Sequence, residues 1–342
     1  MSGRSVNEVA GHFSDRLLDA IEHKGSPSCV GIDPVYERLP IQVRRACRPS
    51  CAEMGAGAGV GVADGQADES TCPGSVALDA ICEYTIGVLD AVCDHVPAVK
   101  FQSACFERYR AEGVELLYDM IQEAQSRGLM VILDAKRGDI GISAQRYAEG
   151  LFEPVPASDD DSVIPEVCPV ADAVTVNGYL GMDGIEPFCK PGHGVFVLIR
   201  TSSPGSDAVQ DVRLEPGQTV AEHLATLLAD MSGQYLGERG YSDVGAVVAG
   251  TRPEAAARVR ALLPHSLFLV PGYGAQGGTA ADCLPCFDQH GRGALITASR
   301  SVSCAFDCDD ASADWADAVA LAAQAFAQEV AAIAQKAARV AR

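Results

Sequence analysis

Apolar residues along this chain gather in short bursts of Val, Ile and Leu, each followed by a longer stretch with helical spacing of apolar and polar positions. Eight bursts stand out: Ser28 to Asp33, Ala98 to Phe101, Met130 to Lys136, Asp172 to Val176, Val195 to Arg200, Val244 to Ala249, Leu267 to Pro271 and Ala294 to Ala298. A strand buried on both faces reads as a continuous apolar run, so each burst is expected to be an interior strand of a parallel sheet. No Gly-rich dinucleotide-binding turn follows the first run. Eight strands alternating with helices therefore suit a closed (β/α)8 barrel, the TIM barrel, better than an open doubly wound sheet. The expectation is one such α/β barrel over residues 1–342, a single domain with an insertion after its first strand.

Three segments depart from the alternation. Arg48 to Ser75 lies in an overlong first crossover and is rich in Gly and Ala with two acidic patches, which predicts a flexible surface insertion. Ser202 to Gly217 follows the fifth strand and is rich in Ser, Pro, Gly and Asp, as expected of a loop at the barrel mouth. The tail, Ala313 to Arg342, has an Ala-rich amphipathic pattern and predicts a helix packed on the outside of the barrel.

Charge narrows the partners. A formal net charge of −20 argues against a broad basic surface for nucleic acid or an anionic membrane, while a small anion held by local basic groups stays open. No apolar run of bilayer length is evident and charges are scattered through Met1 to Ala20, so a cytoplasmic location is expected. Thirteen dispersed cysteines, an odd number, point to reduced thiols. Cys283-x-x-Cys286 and Cys304-x3-Cys308 together have zinc-ligand spacing, but they flank the last strand and the seven histidines form no H-x-x-x-H set, so no metal is assigned.

The segment Val131-Ile-Leu-Asp-Ala-Lys-Arg-Gly-Asp-Ile-Gly-Ile-Ser143 ends an apolar strand in a cluster of opposite charges. Side chains two apart on a strand point the same way, so Asp134 and Lys136 are expected inside the barrel near its C-terminal mouth, where barrel enzymes keep their active sites. Buried charges are costly unless paired, so the cluster must form a network whether it fills space or does chemistry.

With Tyr147-Ala148 following, Asp-x-Lys-Arg-x-Asp-Ile-Gly closely resembles the signature of the orotidine 5'-phosphate decarboxylase family. The likeness runs from Phe13 to Val302 and includes Phe13-Ser-Asp-Arg-Leu17 and Lys24-Gly-Ser-Pro-Ser-Cys-Val-Gly-Ile-Asp-Pro34, which look like the opening of the family's longer bacterial branch. Resemblance implies a cofactor-free decarboxylation of orotidine 5'-phosphate to UMP and CO2, by a catalytic tetrad of Lys100, Asp134, Lys136 and Asp139. In it Lys136 is the proton donor to C6, and Asp139 reaches across a homodimer. The same resemblance implies that Asp33 binds a ribose hydroxyl, Ser143 the ribose across the dimer and Ser202 the pyrimidine. It also implies that Gln276, in the loop Pro271 to Gly278, and Arg300 bind the phosphate. Ser143 departs from the family's usual Thr but keeps the hydroxyl.

Read without the family, Asp33 is a turn or capping residue, the two serines are turn residues, and Arg300 and the glycine-rich loop are a surface charge and a loop. Loops after strands seven and eight are nonetheless a recurrent phosphate site in barrels. Two rivals remain: a metal-dependent sugar-phosphate decarboxylase sharing Asp-x-Lys-x-x-Asp, and a catalytically silent barrel that binds nucleotides.

Overall fold

The computed structural model describes residues 11–47, 73–153, 170–215, 217–274, 277–312 and 314–340. Eight parallel strands close into a barrel in sequence order: β1 (Ser28–Ile32), β2 (Ala98–Gln102), β3 (Met130–Arg137), β4 (Ala173–Asn177), β5 (Gly194–Arg200), β6 (Ser242–Val248), β7 (Ser266–Val270) and β8 (Ala294–Ala298). The (β/α)8 barrel expected from the apolar bursts is the fold, with strand limits shifted by no more than two residues.

Alternation along each strand divides the apolar residues between two cores. Val99 and Phe101 on β2, Val131 and Leu133 on β3, and Val174 and Val176 on β4 face the surrounding helices. Their neighbours Ala98, Met130, Ile132, Ala173 and Phe196 fill the lower barrel interior. A first helix, Phe13–Lys24, closes that end: Phe13 packs edge-on against Phe196 with ring centroids 5.9 Å apart, and Leu17 is fully buried. Gly194 makes room, since a methyl group there would collide with the Phe13 ring. Ser14 N–H donates to Asp243 Oδ1 at 2.8 Å and Arg16 Nη1 to Asp172 Oδ1 at 2.7 Å, anchoring the helix to the barrel floor.

Most of the insertion expected at Arg48 to Ser75 lies outside the described residues; Pro73 already opens the helix Pro73–Val92. The tail forms the helix Trp315–Val340, against the helix Pro73–Val92 and β1. Val319, Ala323, Phe326, Val330, Ile333 and Ala337 recur at three- and four-residue spacing and are buried there. One expectation changes: over Trp315–Arg339 this helix is long and apolar enough, at a mean hydropathy of 1.2, to cross a bilayer by length and composition. Its many alanines dilute the polar face, which is why the run escapes notice as a span in the sequence.

Candidate active site

Upper interior positions of the barrel turn polar where the lower ones are apolar. On β2 the inward series is Ala98, Lys100, Gln102; on β3 it is Met130, Ile132, Asp134; on β4 it is Ala173, Thr175, Asn177. Above them opens a cavity of about 670 Å3 at the C-terminal ends of the strands, lined among others by Asp33, Lys100, Asp134, Lys136, Ser202 and Arg300.

Asp134 is its electrostatic centre. Oδ2 accepts from Lys100 Nζ at 2.8 Å, and Oδ1 accepts from Lys136 Nζ at 2.7 Å and from Thr175 Oγ1 at 2.8 Å. Burial alone would push this carboxyl up, but the two ammonium groups and their hydrogen bonds outweigh it and bring Asp134 down to about 2. Lys100 is buried, which disfavours its charge, yet Asp134 and Asp33 prevail and shift it upward. Gln102 adds a fourth contact: with its amide nitrogen turned inward it donates to Asp134 Oδ2 at 2.9 Å.

Lys136 does not reach this centre by simple alternation. The β3–β4 register shifts between Leu133 and Arg137, and Lys136 sits in the left-handed region with φ 46°. A non-glycine residue held there costs about 1–2 kcal/mol, a strain that clusters at functional sites. The two-residue spacing correctly brings Lys136 to Asp134, but through a bulge rather than regular pleating.

Asp33 follows β1, its Oδ1 4.0 Å from Lys100 Nζ. That oxygen is shielded from solvent and accepts no hydrogen bond among the described residues. Beside it Gly31 is forced by a neighbour, since an added methyl would overlap the Ser299 hydroxyl. Arg300 begins the short helix after β8 and forms no ion pair among the described residues. Pro271, Gly272 and Tyr273 line the same side, and Gly272, Gly274 and Gly277 adopt left-handed φ values that favour glycine. Gln276 lies outside the described residues.

Ser202 stands in the loop after β5, which is built around Arg200, a guanidinium only 1% exposed. Arg200 Nη1 donates to Thr201 O at 2.9 Å and Ser206 Oγ at 2.7 Å, while Nη2 reaches Asp207 at 2.5 Å and Asp211 at 2.8 Å. Gln210 clasps Thr201 twice, accepting its N–H at 2.9 Å and donating to its Oγ1 at 3.0 Å. Ser202 itself makes no hydrogen bond among the described residues.

Asp139 and Ser143 stand apart from this cavity. Asp139 Oδ1 accepts from the Ile140 N–H at 2.9 Å, and Ser143 is exposed in the first turn of the helix Gly141–Phe152. The rim around them is apolar and open: Ile140, Ile142, Tyr147, Tyr179 and Leu180 are all exposed, and Leu180 and Asp139 both border Gly184. Thus Asp33, Lys100, Asp134, Lys136, Ser202 and Arg300 come together within one chain, and Asp139 and Ser143 do not join them.

Thr175, Gln102 and Arg200 were not singled out from the sequence. For the first two the signal was available, a polar residue at an inward position of a barrel strand. The zinc-like pattern dissolves: Cys283 and Cys286 are buried, and the one group of three or more potential ligands among the described residues is Asp307, Cys308 and Asp309.

A model of the "Orotidine 5'-phosphate decarboxylase / HUMPS family" matches residues 75–307. A protein named orotidine 5'-phosphate decarboxylase from Rhodopirellula baltica is 36% identical over 317 residues, 90% of this chain and 95% of that relative. One of the same name from Caldicellulosiruptor bescii is 35% identical, covering 86% of this chain and 90% of its own. Among solved structures, the Leishmania donovani OMP decarboxylase superposes with a TM-score of 0.66 at 28% identity, over 95% of this chain and 99% of that one.

Proposed function

Because this chain belongs to the orotidine 5'-phosphate decarboxylase / HUMPS family, we propose that it converts orotidine 5'-phosphate to UMP and CO2, with Lys136 as the proton donor to C6 of the pyrimidine. The enzyme is an orotidine 5'-phosphate decarboxylase, a carboxy-lyase of pyrimidine biosynthesis. One observation carries the proton-donor reading: Lys136 Nζ lies 2.7 Å from a carboxylate held ionised at the cavity floor.

In the proposed step the bond from C6 to the carboxyl carbon breaks, its electron pair stays on C6, and CO2 departs. The ammonium of Lys136 stabilises the developing charge and passes one proton to C6. Its side chain is 47% exposed, so solvent can return that proton. Lys100, on the far side of Asp134, keeps the carboxylate in place without competing for C6. Asp33 Oδ1, a shielded acceptor with no donor among the described residues, suits a ribose hydroxyl, and Arg300, which forms no ion pair among them, suits the phosphate, with Gln276 proposed beside it. Ser202, whose hydroxyl has no partner among the described residues, is proposed to meet the pyrimidine.

The site is proposed to be completed by a second copy of the chain, whose Asp139 and Ser143 enter over the rim. Support comes from the exposed apolar residues flanking that pair, the surface composition of an interface between copies.

The decisive assay follows the ultraviolet absorbance of orotidine 5'-phosphate with purified protein. Loss of the substrate spectrum is expected, and Lys136→Ala should abolish it. A Lys136→Ala enzyme with near-normal turnover refutes the proton-donor role, and an inert wild type refutes the reaction. EDTA should leave the rate unchanged; a rate restored only by divalent cation would favour the metal-dependent sugar-phosphate rival.

A further inference from the structure

The ladder between β3 and β4 breaks at one place, and one side chain occupies the break. Leu133 pairs with Val174 and Arg137 with Val176, so Asp134, Ala135 and Lys136 stand opposite a single residue, Thr175. Surplus residues in a strand leave backbone groups without ladder partners. Thr175, 1% exposed, supplies the missing partner: its Oγ1 accepts the Lys136 N–H at 3.0 Å. The same oxygen donates its proton to Asp134 Oδ1 at 2.8 Å. A hydroxyl has one proton to give, so with it committed to the carboxylate a lone pair is left for the Lys136 amide, and the hydroxyl rotor is set from both sides.

We propose that Thr175 is a positioning residue for the decarboxylation, tying the Asp134 carboxylate to the backbone of Lys136 so that the lysine ammonium stands where the proton is delivered. The inference rests on the reading of Lys136 as proton donor and goes beyond the tetrad. Two of that tetrad's members sit on a bulge whose geometry no tetrad residue explains. Lys136 holds a left-handed φ, and its amide has Thr175 as its partner there. On its other side Thr175 pairs with Phe196 of β5, whose ring is locked by Phe13, so the hydroxyl is carried by a rigid strand.

Thr175→Val keeps the volume and the β-branch but removes donor and acceptor together. In the full-length enzyme kcat should fall about 10- to 100-fold, the loss expected for a hydrogen bond to a charged group at a reacting centre. UMP affinity, measured by calorimetry, should stay within about threefold, because the Thr175 hydroxyl, although it lines the cavity, is committed to Asp134 and to the Lys136 amide. Thr175→Ser, which restores the hydroxyl, should return kcat to within about threefold of wild type; loss of packing alone would not be rescued in this way. Should the valine variant fail to fold, Thr175→Ala is held to the same thresholds. The inference is overturned if the hydroxyl-free variant keeps wild-type kcat, if serine is no better than valine, or if the loss appears wholly in UMP affinity and KM. A wild type inert toward orotidine 5'-phosphate overturns the decarboxylase reading and this inference together, whereas an active wild type matched by Thr175→Val overturns this inference alone.

Discussion

Asp134 stands between two ammonium groups, and the pH dependence of the site begins there. Its folded pKa, about 2, lies below the ordinary 3.8, so the folded chain takes up this proton less readily than the unfolded one. The stability it contributes is therefore complete above about pH 4 and is lost as pH falls through about 2. The gap of nearly two units corresponds to about 2 kcal/mol. Asp134→Asn should lower activity by about 100-fold or more, since it removes the one negative charge between Lys100 and Lys136. In thermal melts from about pH 5 down to about pH 2, the stability advantage of wild type over the variant should shrink. An advantage that grows on acidification would contradict the pairing.

Among the elements, the loop after β5 depends on one buried cation. Arg200 binds two carboxylates, a hydroxyl and a carbonyl, all contributed by the eleven residues that follow it. Arg200→Met should keep the strand packed but release the loop, raising KM for the nucleotide about 10-fold with a smaller change in kcat. Steady-state kinetics at matched folded fraction would check this, and an unchanged KM would show that the loop holds its place without the arginine. Sequence patterning resolves these elements unevenly. Buried parallel strands announce themselves as apolar runs, so Val195 to Arg200 is legible as β5, and Asp134 and Lys136 are legible as inward charges. What patterning misses lies beyond the strand: Arg200 ends an apolar run and looks like the first solvent-facing residue, although four later side chains draw it inward. The bulge opposite Thr175 is likewise invisible, because it arises from how two strands pair and not from either strand's composition.

At the scale of the whole molecule, the separation of Asp139 from the cavity in its own chain makes a stoichiometric prediction. If each site takes Lys136 from one subunit and Asp139 from the other, Lys136→Ala and Asp139→Ala enzymes are each inactive alone. Mixed and allowed to exchange subunits, they should recover about a quarter of wild-type activity, since half of the dimers are hybrids and each hybrid holds one intact site. No recovery under conditions where subunits demonstrably exchange would mean that Asp139 acts within its own chain.

The helix Phe13–Lys24 has a kinetic corollary. With Phe13 and Leu17 corking the lower end, the barrel is a blind vessel whose traffic passes through its upper opening. Gas and nucleotide must then depart by the route the substrate used to arrive. A bound product accordingly stands in the path of the next arrival, and must clear that gateway before another substrate can enter.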